Sequence, residues 1–229
     1  MSEPVVKNER RVEALPVDSL LIQRFGEKVC VLIALIVAAL PLAVTALVIY
    51  FVLGKPLLFT QNRVGQGMQL FRISKFRTMH DYRDSKGALL PDADRQTPIT
   101  KFLRRFRLDE LPQLIMIWRG DMAIVGPRPL LLETIEQMGW LGGHRCSVRP
   151  GLTGWGQVNG GQRLNNTQKL ALDIWYVDHR SVSLDLFVLL LTLKTLLVGE
   201  RINKQRLAIA MSHLAKVHAA HVADLANLD

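Results

Sequence analysis

Thirteen residues, KFLRRFRLDELPQ at 101–113, gather the charges in this chain best placed to do chemistry. Asp109 and Glu110 stand side by side, behind Lys101, Arg104, Arg105 and Arg107 and directly ahead of Leu111 and Pro112. Two readings fit that spacing. On an exposed helix, charges four residues apart, such as Arg105 and Asp109, pair modestly and do nothing more. Alternatively a helix begins near Pro112, where proline suits the first turn, and runs through LPQLIMIW. The two carboxylates would then lie just upstream, beside unsatisfied amide donors.

Two other stretches, GDMAIVGPRP (120–129) and RCSVRPGLTGWGQVNGG (145–161), are rich in glycine, proline and cations. Neither can be a regular helix throughout. Rigid backbone carrying Arg128, Arg145 and Arg149 can hold guanidinium groups toward oxyanions, although Gly and Pro also mark ordinary turns. A net charge of +9 predicts an anionic partner: nucleic acid, an anionic membrane surface or a phosphorylated substrate. Cys30 and Cys146 form neither a disulfide framework nor a CxxC pair, which suits a reducing cytosol. The six histidines include no HExxH, so zinc is not expected. The GQG at 65–67 lacks the third glycine of a dinucleotide fingerprint, and no GxxxxGK[ST] occurs.

The elements that must position these residues begin with a membrane segment. Val29 to Leu53 reads VCVLIALIVAALPLAVTALVIYFVL, with no charge, longer than the ~20 residues a spanning helix needs. Basic residues flank it on both sides: Arg10, Arg11, Arg24 and Lys28 before, Lys55, Arg63, Arg72, Lys75 and Arg77 after. Both flanks therefore favour the cytoplasm, and a kink at Pro41 would let the helix turn back as a re-entrant hairpin. An ordinary span with a tolerated proline is the alternative. Next, PLLFTQN and LFRISKF are extended runs joined by RVGQGMQ, which predicts a β-hairpin. The polar stretch HDYRDSKGALLPDADRQTPIT connects it to the amphipathic KFLRRF. Val182 to Val198 is apolar but short and carries Asp185 and Lys194, so it reads as a core helix or one lying in the headgroup plane. After Arg201, Leu207, Met211, Leu214, His218, His221, Leu225 and Leu228 form a heptad-like seam. That seam either packs on its own domain or membrane, or contacts a second copy of the chain as a homo-oligomer.

Taken in order, KFRTM (75–79), LDELPQL (108–114), GDMAIVGPRP, RPGLTGWGQVNG (149–160) and LDIWYV (172–177) resemble the bacterial sugar transferases, the monotopic phosphoglycosyl transferases. The resemblance covers residues 25 to 200 and suggests a small catalytic-unit member. It implies a membrane enzyme on the cytoplasmic face of the bacterial inner membrane. Such an enzyme moves a sugar 1-phosphate from a UDP-sugar to polyprenol (undecaprenyl) phosphate and releases UMP, starting exopolysaccharide, O-antigen or glycoprotein glycan assembly. By the same resemblance Asp109 is the nucleophile that forms an aspartyl-phosphosugar, and Glu110 helps hold Mg²⁺, with Asp173 as a further metal ligand. Lys75, Arg104 and Arg128 match positions expected near phosphate, and Arg149, Trp155 and Gln157 belong to a loop framing the nucleotide or sugar. A carboxylate and a diphosphate repel each other, so cations must neutralise the charge before attack is feasible. The chain departs from the family pattern at Leu40, Ala123, Gly156 and Gly161, where Ser, Ser, Ala and Arg are common; the missing arginine would alter donor recognition.

The expected fold is α+β and mainly helical, with a re-entrant membrane helix, a short β-hairpin and amphipathic membrane-surface helices around a cytoplasmic active site. The expected divisions are a polar tail (1–24), the membrane helix (25–56), the catalytic domain (57–200) and a C-terminal amphipathic helix (201–229). A membrane-tethered nucleic-acid binder has only the net charge in its favour, with no helix-turn-helix, zinc pattern or aromatic-bearing basic sheet, so no nucleic-acid partner is expected. A non-catalytic scaffold is the other rival. A single long apolar segment excludes the polytopic transferases, and the spaced aspartates of the CDP-alcohol type are absent.

Overall fold

The computed structural model describes residues 17–226. The first helix, α1 (Val17–Leu53), includes the apolar stretch and runs unbroken through Pro41. Among its described side chains, Val31, Ala38, Thr45 and Ile49 are buried, spaced by seven, seven and four, and so form one stripe. That stripe keeps its register on both sides of Pro41, so the turn-back expected there is not seen as a break in the helix. The other faces stay apolar and exposed: Val37 is 71 %, Leu40 73 % and Phe51 75 % accessible. From Lys28 to Leu53 the helix is long and apolar enough to cross a membrane.

The predicted hairpin forms from β1 (Leu58–Val64) and β2 (Leu70–Phe76), antiparallel, with Leu58 opposite Phe76 and Val64 opposite Leu70. Its connection needs left-handed backbone at Gly67. After the polar connection, α2 (Pro98–Arg105) starts on a reciprocal cap: Thr97 accepts from the Thr100 amide while Thr100 accepts from that of Thr97. Such a cap is worth about 1 kcal/mol and fixes where the helix begins.

The next helix, α3 (Leu114–Arg119), starts later than Pro112, because Leu108–Gln113 winds as a tighter 3-10 turn. Then come β3 (Ala123–Val125), α4 (Leu132–Glu136), α5 (Trp140–Arg145) and β4 (Gly151–Thr153). The two glycine-rich stretches thus meet as a short parallel pair, with Ala123 opposite Gly151 and Val125 opposite Thr153. Their approach is closer than side chains allow, since a Cβ on Gly151 or Gly154 would overlap the backbone of Gly126. Four α-helices follow among the described residues: α6 (Trp155–Val158), α7 (Asn166–His179), α8 (Val182–Val198) and α9 (Lys204–Ala226).

The main core surrounds α7, whose Ala171, Leu172 and Ile174 are fully buried against Val188 of α8 and Ala210 and Leu214 of α9. Each such aliphatic side chain contributes roughly 1.5–3 kcal/mol on burial. A second cluster joins Val31 and Ala38 of α1 to Ile73, Leu114, Ile117 and Met122. Ile49, Phe76 and Leu103 form a third. The seam of α9 that packs within the chain is Leu207, Ala210, Leu214 and Val217, whereas Met211 and Leu225 point outward. His218 and His221 instead lie against the Trp140 ring. Leu228, like residues 1–16 of the expected polar tail, lies outside the described residues.

Candidate active site

Asp109 and Glu110 are not on an exposed helix face. They are 5 % and 7 % accessible, inside the 3-10 turn, and both open onto a cavity of about 790 Å³. The turn is preceded by Arg107 in left-handed conformation, φ 54° and ψ 25°. That geometry is uncommon for a residue with a side chain and reverses the chain sharply after α2. The reversal keeps Arg104 and Arg105, in the last turn of α2, beside the acids, where the helix C-terminus also favours cations.

Buried carboxylates need partners. Glu110 has two: Oε1 accepts from Arg128 Nη2 at 2.7 Å, and Oε2 from Arg107 Nη1 at 3.3 Å. Burial opposes its charge, yet the Arg128 and Arg107 guanidinium groups outweigh burial and hold Glu110 below the ordinary carboxylate range. Asp109 goes the other way. Burial, reinforced by the neighbouring charge of Glu110, pushes it up to about 6, while Lys75 and Arg104 offset this only in part. Burial also lowers the Lys75 ammonium, although Asp109 works against that. Two adjacent carboxylates whose environments drive their pKa values apart are suited to different tasks.

A second network braces the first. Asp173 of α7 is 6 % accessible and its Oδ2 accepts from Arg145 Nε at 2.8 Å. Arg145 also donates to the Arg128 carbonyl, which fixes the backbone from which Arg128 reaches Glu110. Burial raises Asp173, with Arg145 pulling it back down.

Of the residues expected from the sequence, Lys75, Arg104, Asp109, Glu110, Arg128, Gln157 and Asp173 all line this cavity. Gln157 brings a buried amide oxygen, Oε1, that has no hydrogen-bond partner in the structure. Arg149 and Trp155 are not among the lining residues. Arg149 donates to the Met122 carbonyl at 3.3 Å, and Trp155 stacks on Trp175 with ring centroids 5.0 Å apart. Arg163, Lys169 and Glu200 also face the cavity, though no sequence motif singled them out. Eight cationic side chains against four carboxylates leave the cavity walls strongly positive, which selects an anionic occupant.

A divalent cation fits one part of this wall. Glu110 is held ionised, and each of its oxygens retains a lone pair beyond the one used by arginine. No group of three or more His, Cys, Asp or Glu side chains able to enclose an ion occurs among the described residues. Mg²⁺ suits such a site, since it binds through one or two carboxylates together with substrate phosphates.

The comparisons with known proteins identify the family. Residues 18–199 match the family described as bacterial sugar transferase. The chain is 44 % identical over 160 residues to the uncharacterized sugar transferase EpsL of Bacillus subtilis, covering 70 % of this chain and 79 % of that one. It is 36 % identical over 195 residues to the undecaprenyl-phosphate glucose phosphotransferase of Komagataeibacter xylinus (77 % and 36 %) and 31 % identical over 195 residues to the exopolysaccharide production protein ExoY of Sinorhizobium fredii (78 % and 86 %). Several of the relatives are much longer, and the alignment spans only about a third of the Komagataeibacter protein. A family match over most of the chain, together with 44 % identity to a sugar transferase along 70 % of its length, establishes that this chain belongs to the bacterial sugar transferases.

Proposed function

We propose that the chain transfers a sugar 1-phosphate from a UDP-sugar to polyprenol phosphate at a bacterial inner membrane, with its cavity on the cytoplasmic side. The observation that carries this reading is the Asp109–Glu110 pair, two buried neighbours displaced in opposite directions and surrounded by cations. The named relatives supply the acceptor class: one is an undecaprenyl-phosphate glucose phosphotransferase and another a UDP-N-acetylgalactosamine-undecaprenyl-phosphate N-acetylgalactosaminephosphotransferase.

In the first half-reaction an Asp109 carboxylate oxygen attacks the phosphorus bonded to the sugar. The bond from that phosphorus to the bridging oxygen breaks, and UMP leaves with the electron pair. In the second, a phosphate oxygen of the polyprenol phosphate attacks the same phosphorus and displaces Asp109, giving polyprenyl-diphosphate-sugar and a free carboxylate. Such chemistry depends mainly on placement and charge neutralisation. Arg128 holds Glu110, Lys75 and Arg104 offset the anionic charge around Asp109, and Asp173 orients Arg145 to brace the Arg128 backbone. Mg²⁺, held by Glu110 and substrate phosphates, would spread the developing charge; Asp173 could supply only the oxygen that Arg145 leaves free.

Before any carboxylate can attack, it must be anionic. Asp109 is the less neutralised of the two acids and therefore the better nucleophile, whereas the charge of Glu110 is already engaged. The direct test is incubation with a UDP-sugar alone, followed by intact-mass analysis. Wild type should gain the mass of one phosphosugar and release one UMP. Asp109→Asn should do neither, and EDTA should stop UMP release until Mg²⁺ is restored. An unchanged mass alongside brisk turnover would mean direct transfer without the intermediate.

A further inference from the structure

Glu200 belongs to no motif, yet it stands at the end of a chain of charges leading to the acidic pair. Arg107 is shared: Nη1 meets Glu110 Oε2 at 3.3 Å, and Nη2 meets Glu200 Oε1 at 3.4 Å. The other Glu200 oxygen, Oε2, accepts the Gln162 amide at 2.9 Å. Gly161 leaves the room for this, since a Cβ there would overlap the Glu200 carboxylate. Glu200 is thus anchored to backbone on one side and offers a fixed anion on the other.

What it holds is the costly part of the turn. Left-handed backbone at a residue other than glycine is unfavourable and persists only when the surroundings impose it. Arg107 adopts that conformation immediately before Asp109 and Glu110, and its carbonyl accepts the Glu110 amide at 3.1 Å. The two carboxylates at the ends of its fork, one within the turn and one after α8, are the restraints on its side chain.

We propose that Glu200 is a positioning residue: it fixes the Arg107 side chain and so keeps the left-handed bend that presents Asp109 and Glu110 to the cavity. For turnover this rests on the phosphosugar-transfer reading, and for backbone order it does not. The test uses the full chain in detergent or lipid, comparing Glu200→Ala, Arg107→Ala and the double variant. Glu200→Ala should lower kcat by about tenfold or more with donor KM changed much less, and should speed amide hydrogen exchange at Glu110. In the Arg107→Ala background the same substitution should add almost nothing, because coupled residues are non-additive. Glu200→Gln, which keeps the volume, replaces the alanine variant if that one fails to fold. Wild-type kcat and exchange in Glu200→Ala, or a full-sized loss in both backgrounds, would overturn the proposal. A wild-type chain that releases no UMP would instead remove the functional reading, and the exchange measurement would still decide the role of Glu200.

Discussion

At the scale of the residue, reactivity and stability pull against each other at position 109. A buried carboxyl raised from 3.8 to about 6 binds its proton more tightly in the folded chain than in the unfolded one. The contribution of Asp109 to folding stability is therefore greatest below the unfolded value and declines as pH rises through the window from about 4 to about 6, by up to about 3 kcal/mol. Asp109→Asn removes that burden. The variant should have a higher Tm than wild type at pH 7.5 and a nearly equal one at pH 4, while losing all turnover. The same ionisation shows in rate. On the proposed mechanism only the carboxylate attacks, so kcat/KM should fall about tenfold per pH unit below about 6, the limb reporting the free enzyme. The types and spacing of these residues were legible in the sequence; their burial was not. A charge-rich run looks solvated, and only the tertiary placement of Arg128, 18 residues further on, makes a buried Glu110 affordable.

At the scale of elements, local signals predicted boundaries well wherever the backbone alone sets them. The hairpin and the extent of α8 follow from turn residues and an apolar run. The 3-10 turn escaped, because Pro112 fits the first turn of a helix and a tighter turn equally well. The β3–β4 pair escaped too, since three-residue strands carry no periodicity and pair across 28 residues. Its glycines make a test. Gly154→Ala drives a methyl into the Gly126 backbone and should destabilise the fold by about 3 kcal/mol, read as a lower urea midpoint. Outer contacts matter less. Asp178 bridges His144 of α5 and His213 of α9, both at 2.7 Å, and so pins the last helix onto α7. The Asp178 hydrogen bond raises the His144 pKa, so the part of this stabilisation that comes from His144 is complete below the ordinary histidine value and lost as pH climbs past the folded one. Asp178→Ala should therefore cost about 1 kcal/mol at pH 5.5 and less at pH 8, by denaturant titration.

At the scale of the whole molecule, α1 is more than an attachment. Its apolar composition was plain from the sequence, but a featureless run of aliphatics gives no hint of which side meets protein. The buried stripe lies against β2 and α3, and α1 also packs on the turn that carries Asp109 and Glu110. A chain beginning at Lys55 should consequently aggregate rather than yield a soluble enzyme, because Leu114, Ile117 and Met122 lose their cover. Gel filtration would show it. Among the described residues, much of the remaining perimeter of the helix is apolar and exposed, which suits hydrocarbon. Hydrocarbon thickness sets the tilt of such a helix. One body thus carries an exposed apolar flank suited to acyl chains and packs with the other on the turn of Asp109 and Glu110, so that a tilt would be transmitted across it without any intervening linker. Turnover at saturating substrate should therefore vary with acyl-chain length, a sensitivity that an enzyme moored by a loose tether would lack.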